Sequence, residues 1–459
     1  MPKPYKPYNP DQIFLLPPDM REWLEDGHLA YFVDETVDTL DLSEIYSYYE
    51  QCNRGNPPYN PTMMTKLILY SYCIGLPSSR KISKATIDRI DFRVITANNQ
   101  PDFRTISDFR KIHLDALTGL FNQVIQLCKE AGLVKLGTVS LDGTKVKGNA
   151  SKDKNRTYEK LVEEEKQIQK IVDQMFETAE KVDEEEDRLY GKDKRGDELP
   201  EGFRTRKERL ERIQKAKKDM EEKKKEKQEA FEAKIAEREV IEEQTGKKIK
   251  GRKPKIEEVK KVNEKERNTT DPDSRFMKSK DGYVQGYNGQ LVVDCDSQVI
   301  VAADVTQDCN DLHQLVPMIE QVKENTGQLP KEGTMDAGYW CEDQIKELEN
   351  KLNLHIATTK DWKERKKLRE QPSPRGRIPK NLTMKERMER KLLTKRGKKV
   401  YGKRGCSVEP VNGQIKEGRG FRQFLLRGLH KVKGEWSLIC TGHNVLKLWR
   451  ASKKQSNMC

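Results

Sequence analysis

Residues 137–147 read Gly-Thr-Val-Ser-Leu-Asp-Gly-Thr-Lys-Val-Lys, and how this stretch is read decides the fold. Val139 and Leu141 alternate with Thr138 and Ser140, and Val146 continues the pattern beyond. That is the period of a short buried strand. The strand delivers one carboxylate, Asp142, and Gly143 lets the chain turn immediately after it. An Asp-Gly pair is also an ordinary turn, so the segment alone leaves Asp142 open between a site and a bend. It becomes functional only if further acids arrive at matching places in the same sheet.

The totals bound what can surround it. At 459 residues the chain has room for two to three domains. With 34% hydrophobic and 36% charged residues it is too polar for one compact globule, so part of it should be extended, helical and solvated. No run approaches ~18 uninterrupted apolar residues, and Met-Pro-Lys-Pro-Tyr-Lys lacks the apolar core of a signal peptide. The expectation is a soluble, cytoplasmic protein without a membrane partner. Nine cysteines (52, 73, 128, 295, 309, 341, 406, 440 and 459) stand singly, and six histidines are equally dispersed, so no zinc or thiol-redox site is expected. The net charge of +13 sits in one place: residues 360–404 hold 19 Lys/Arg against 5 Asp/Glu, and the other 414 residues sum to −1. A basic segment of that density reads as a polyanion-binding loop, nucleic acid first, or as a solvated charge run.

Taken in order, residues 1–40 read as a proline-bearing arm and residues 41–133 as an all-helical DNA-binding domain. Pro61 opens a helix that Gly75-Leu-Pro closes, a second spans about 80–88, and a third spans 105–131 with Ile106, Phe109, Leu117, Leu120, Phe121, Val124 and Cys128 on one stripe. Such a module fits a helix-turn-helix reader or a plain bundle, with Arg80, Lys81 and Lys84 as candidates for phosphate contact. Residues 151–268 carry 35 basic and 33 acidic residues in 118, with thin apolar stripes over 158–190 (Leu161, Ile168, Val172, Met175) and 205–243 (Leu210, Ile213, Met220, Phe231). They read as an inserted antiparallel helical hairpin or as a charged linker. Residues 134–150 and 269–450 form the remaining domain, and 451–459 a tail.

In that domain two alternating strands surround a turn at 295–298, Asp311 caps a helix through Leu315, Ile319 and Val322, and a short strand ends in Asp336. A helix from 342 to 352, a strand from Leu354, the basic segment and a helix-compatible stretch over 401–416 bearing Glu409 follow. This is the element order of an α/β ribonuclease-H-like fold, a mixed sheet flanked by helices, in which the first and fourth strands are neighbours. Asp142 and Asp336 would stand side by side there, with Glu409 brought across the same edge. Three clustered carboxylates repel one another unless cations sit between them, which points to hard divalent ions, two Mg²⁺ or Mn²⁺. Such a pair supports in-line attack of water or a 3′-hydroxyl on a phosphodiester.

Asp142 in Ser-Leu-Asp-Gly-Thr-Lys, Asp336 in Met-Asp-Ala-Gly-Tyr-Trp and Glu409 in Tyr401-Gly-Lys-Arg-Gly-Cys-Ser-Val-Glu-Pro-Val-Asn-Gly-Gln-Ile-Lys416 resemble the DDE transposases of bacterial insertion sequences. The last stretch is similar to their Tyr-Arg-Glu-Lys signature, with one extra residue between Arg404 and Glu409. The resemblance implies that Asp142, Asp336 and Glu409 bind the metals and that Tyr401, Arg404 and Lys416 contact DNA phosphates. It further implies cleavage at terminal inverted repeats, strand transfer into target DNA, and a homodimer on double-stranded DNA. A structure-specific nuclease of the same fold and an inactive, transposase-derived DNA-binding protein stand as alternatives.

Overall fold

The computed structural model describes residues 22, 24–50, 57–190, 203–245, 267–279, 282–377, 379 and 381–456. Residues 1–20 of the expected arm and the glycine- and proline-bearing link near Gly196 lie outside them.

The helices ahead of the first strand are α1 (Leu29–Asp38), α2 (Ser43–Glu50), α3 (Pro61–Cys73), α4 (Ser79–Asp88), α5 (Ile90–Ile95), α6 (Phe103–Ile112) and α7 (Leu114–Glu130). Pro61 sits in the first turn of α3, where its missing N–H costs nothing, and the Asn60 side chain accepts from Met63 N at 3.1 Å. Two expectations are corrected. Residues 29–38, assigned to the arm, form α1, which buries Leu29, Ala30, Val33 and Val37. The helix expected over 105–131 is two helices, broken at His113 (φ −100°, ψ 23°). The His113 ring is tied to Tyr49 Oη at 3.0 Å and packs on Phe109, and this contact holds the break.

The strands are β1 (Thr138–Lys147), β2 (Asn155–Arg156), β3 (Arg267–Asn268), β4 (Arg275–Ser279), β5 (Gly282–Asp294), β6 (Ile300–Thr306), β7 (Glu332–Met335) and β8 (Asn353–Ile356). The main sheet runs β4-β5-β1-β7-β8, with β6 also paired to β5. β5 is antiparallel to β1, β4 and β6, whereas β1, β7 and β8 are parallel neighbours. This mixed sheet, flanked by helices and preceded by a helical region, is compatible with a ribonuclease-H-like fold. Gly143 does not turn the chain: it pairs with Gln290, and β1 continues through it to Lys147. The glycine has a different use, described below.

Between β1 and β4 the chain leaves and returns side by side, because β2 pairs antiparallel with β3. The charged segment between them contains α8 (Tyr158–Tyr190) and α9 (Phe203–Thr245). Their near ends pack through their own cluster, Leu161, Ile168 and Val172 against Leu210, Ile213, Ala216 and Met220. Tyr158 donates to Glu221 and Lys217 to Glu165, the pairing of an antiparallel arrangement. The expected continuation of the stripe at Met175 falls outside the described side chains.

The later helices are α10 (Leu315–Thr326), α11 (Glu342–Leu348), α12 (Trp362–Glu370), α13 (Met384–Leu393), α14 (Lys395–Gly402), α15 (Val408–Gly413) and α16 (Leu429–Ser456). α16 continues through residues 451–456, which the sequence reading gave to a tail. It joins the two halves of the protein. Trp436 Nε1 donates to Gln290 O at 3.2 Å and the Asn444 amide clamps both backbone groups of Ile300, while Ser437 donates to Thr118 O on α7. A single buried cluster accordingly runs from Val33 and Leu67 through Val124 to Leu141, Val292 and Trp436. Burying each such side chain contributes about 1.5–3 kcal/mol, so the helical region and the sheet stabilise one another.

Candidate active site

The site begins with strand register. β1 and β7 pair in parallel from Thr138↔Glu332 to Leu141↔Met335, and the next residue on each strand is the acid. Asp142 and Asp336 therefore stand as lateral neighbours where the ladder ends, at a spacing of about 4.8 Å between strands. Asp142 is mostly buried, and both of its oxygens are occupied. Oδ1 accepts from Arg404 Nη2 at 3.2 Å and Oδ2 from Asn412 Nδ2 at 3.0 Å. Burial pushes its carboxyl up to about 6; Arg404 pulls against this, and the negative charges of Asp336 and Asp311 add to it. Asp336 opens the 3₁₀ turn Ala337–Tyr339 and accepts from Gly338 N at 2.7 Å.

A third acid arrives that the sequence reading placed elsewhere. Asp311 was expected to cap the helix after β6, but α10 begins at Leu315, and Gln344 from α11 serves its first turn by accepting from Leu315 N at 3.2 Å and Val316 N at 3.4 Å. Asp311 is thereby free to reach the sheet. Its Oδ1 accepts from Asn288 Nδ2 and Gln290 Nε2, both at 2.7 Å, and lies 3.6 Å from Lys145 Nζ. It lies directly over Gly143, where a Cβ would come within 2.3 Å of Asp311 Oδ1. Tyr339, fully buried, donates to Gln290 Oε1, and burial together with Asp311, Asp142 and Asp336 drives its phenol well above the ordinary range. The signal that could have found Asp311 is the run Asn288, Gln290 and Lys145, polar residues facing one another across β1 and β5 where a core strand would carry apolar ones.

The stretch over 401–416, expected as one helix, is α14, a 3₁₀ turn (Lys403–Cys406), α15 and a π turn (Gln414–Gly418). Ser407 interrupts it (φ −118°, ψ −86°), with its hydroxyl donating to Lys403 O at 2.8 Å. Tyr401 is half-buried at the end of α14. Arg404 is buried, and its guanidinium is spent on Asp142 and on Leu141 O at 3.3 Å, not presented to solvent. Lys416 Nζ donates to Lys145 O at 2.7 Å. Glu409 is exposed in the first turn of α15. It lies one turn ahead of Asn412, so it shares the face that touches Asp142 without itself meeting the aspartates.

Arg80, Lys81 and Lys84 are exposed on α4, remote in sequence from the acids, with Arg80 over the Phe103 ring and Lys84 3.9 Å from Asp88. The basic segment is not a bare loop. It holds α12, α13 and α14, Thr383 and Glu386 close a capping box on α13, and Lys391 is buried far enough to donate to Leu354 O at 2.7 Å.

The donor set is all carboxylate oxygen, which suits a hard divalent ion. Gly338 keeps space for one: a Cβ there would lie 2.8 Å from Asp336 Oδ1 and 3.3 Å from Asp311 Oδ2. The arrangement is not closed around a point, since among the described residues no three His, Cys, Asp or Glu side chains stand within reach of a single ion. Among the same residues no helix is long and apolar enough to cross a membrane.

Two family models match parts of this chain. A transposase domain (DUF772) covers residues 18–112, the helical region with Arg80, Lys81 and Lys84, and a transposase DDE domain covers residues 351–449, the part with Tyr401, Arg404, Glu409 and Lys416. No curated protein and no solved structure matches. The aspartates of the parallel ladder fall between the two matches, and together the matches support a DDE transposase.

Proposed function

We propose that the protein is a transposase that cuts DNA at the inverted-repeat ends of its own element and transfers those ends into target DNA. The observation that carries this is the β1/β7 register, which puts Asp142 and Asp336 side by side at the end of a parallel ladder. Asp142, Asp336 and Glu409 are the residues that would hold divalent cations, Mg²⁺ or Mn²⁺. When bound, such ions activate a water or 3′-hydroxyl and stabilise the leaving oxygen of a phosphodiester. Glu409, on the exposed turn of α15, completes the acid set by a small advance of the segment that Asn412 already ties to Asp142. Arg404 balances the charge of Asp142, and its planar guanidinium suits a phosphate as well as that carboxylate. Lys416, anchored on β1, and Tyr401 flank the same edge and are assigned to phosphates beside the scissile bond. The helices of α12–α14 track terminal or target DNA through their Lys and Arg, and α4 contacts the repeat with Arg80, Lys81 and Lys84. Two chains act on the paired ends as a homodimer.

The test is cleavage of a duplex carrying the inverted repeat found beside the gene, with Mg²⁺ or Mn²⁺. Nicking at the repeat boundary, reduced at least a hundredfold in Asp142→Asn, Asp336→Asn and Glu409→Gln while repeat binding persists, is the expected result. Sedimentation of the same mixtures should show two chains per pair of ends. Cleavage that ignores the repeat and joins nothing to target would make the protein a structure-specific nuclease. Binding without cleavage under every metal condition would leave only a DNA-binding protein.

A further inference from the structure

Four acids have been named around this edge, and Asp311 is the one that neither the sequence motifs nor the family matches single out. Its surroundings treat its two oxygens differently. Oδ1 is held by two fully buried amides, Asn288 and Gln290, at 2.7 Å each. Oδ2 has no hydrogen-bond donor among the described residues and faces the gap over Gly338, 3.3 Å from where a Cβ would stand and on the side of Asp336.

A carboxylate kept purely for structure would have both oxygens served, and here the two amides and Lys145 all meet Oδ1. Lys145 Nζ, buried, forms an ion pair with the same Asp311 Oδ1 at 3.6 Å. Asn288, at 0% exposure, spends its amide N–H on Asp311 while its own Oδ1 is unpartnered. A buried polar atom left without a partner is costly, and this one belongs to an amide that holds Asp311. Glycines stand on both sides of it. Gly143 gives the carboxylate room to lie over β1, and Gly338 leaves the space between Asp311 and Asp336 open.

We propose that Asp311 is a further metal-holding residue of the transposase site, sharing with Asp336 an oxygen cradle over Gly338 for a hard divalent cation. The inference rests on the functional reading above and adds to it a ligand supplied by the loop between β6 and α10. In it Asn288 and Gln290 fix the rotamer by holding one oxygen, so that the other meets the ion.

The deciding experiment counts Mn²⁺ bound to the full chain, without DNA, by the electron spin resonance of the free ion, beside the repeat-cleavage assay. Asp311→Asn, close to isosteric, should weaken Mn²⁺ binding at least tenfold or remove one ion per chain, and should cut nicking at least a hundredfold with repeat binding intact. Gly338→Ala keeps both acids but fills the cradle, and it should show the same loss of Mn²⁺, which decides the matter if Asp311→Asn fails to fold. Wild-type Mn²⁺ binding in both variants overturns the role of Asp311 while leaving the transposase reading standing. Wild-type protein that neither binds Mn²⁺ nor nicks the repeat overturns both.

Discussion

Asp142 and Asp336 are placed by the backbone, whereas residues 401–416 are placed by side chains. The ladder from Thr138↔Glu332 to Leu141↔Met335 sets the two aspartates, and a slip of one residue would send every side chain of the strand to the opposite face. Tyr401, Arg404, Glu409 and Lys416 instead ride on short helical pieces joined by 3₁₀ and π turns. That segment is tied to β1 by Arg404 on Asp142 and on Leu141 O, Asn412 on Asp142, Lys416 on Lys145 O and Lys403 on Thr138 Oγ1. The difference separates positions fixed by strand register from positions fixed by side-chain contacts. The strand acids are set by backbone pairing, and the segment bearing Glu409 is set by these side-chain bonds together with Val408, Val411 and Ile415 buried in the core.

The sharpest way to break this arrangement is to remove Arg404. Its side chain is 8% exposed and that of Asp142 18%, so Arg404→Ala leaves a buried carboxylate without its counter-charge. Removing one partner of such a pair costs on the order of 3–5 kcal/mol. Urea unfolding should show a loss of that size. In Asp142→Asn the loss caused by Arg404→Ala should be smaller by about 2 kcal/mol, the signature of direct coupling. Equal losses in both backgrounds would mean that Arg404 stabilises the segment through other contacts.

Gly143→Ala tests the strand side. Its methyl would enter at 2.3 Å from Asp311 Oδ1 and 2.7 Å from Gln290 Nε2, displacing side chains while the β1 backbone stays paired. Overpacking of this kind costs about 1–3 kcal/mol. Cleavage should fall by at least an order of magnitude more than Arg404-independent DNA binding does. An unchanged cleavage rate would show that the site tolerates a displaced Asp311.

How much of this was legible in the sequence follows the same division. Val139 and Leu141 alternate and are fully buried in the structure, but Asp142 lies inside β1, which runs on to Lys147, where a strand end was expected; Asp336 directly follows β7. A period-2 pattern carries that information locally. Asp311 was read as a helix cap because Asn-Asp-Leu-His before an apolar helix has that form, and the tertiary cap from Gln344 that releases it is invisible to any local pattern. The break at Ser407 was missed for a related reason: residues 401–416 keep helix-compatible spacing, and the interruption depends on a hydroxyl contact and on Asp142 drawing Arg404 and Asn412 to one point. The division at His113 likewise depends on Tyr49, a residue from a different helix.

The smallest effect expected is one of pH, and it sharpens the comparison because it reports only the strand-borne acid. The folded-state pKa of Asp142 is raised from 3.8 to about 6, chiefly by burial, so the folded chain holds a proton that the unfolded chain has released across that window. Stability from this group is fully present below 3.8 and is lost as pH rises through about 6. A divalent cation at the site must displace the same proton. Mn²⁺ affinity should therefore be flat above about pH 7 and fall by up to tenfold per unit below about 6, roughly 1.4 kcal/mol per decade. Titrations at pH 5, 6 and 7.5 measure the slope, with Asp142→Asn, which binds weakly at every pH, as the flat reference. If wild type shows no slope while still binding Mn²⁺, the cation is held by Asp336 and Asp311 without Asp142. Of the two neighbouring strand acids, Asp142 would then be the spectator and Asp336 the working one.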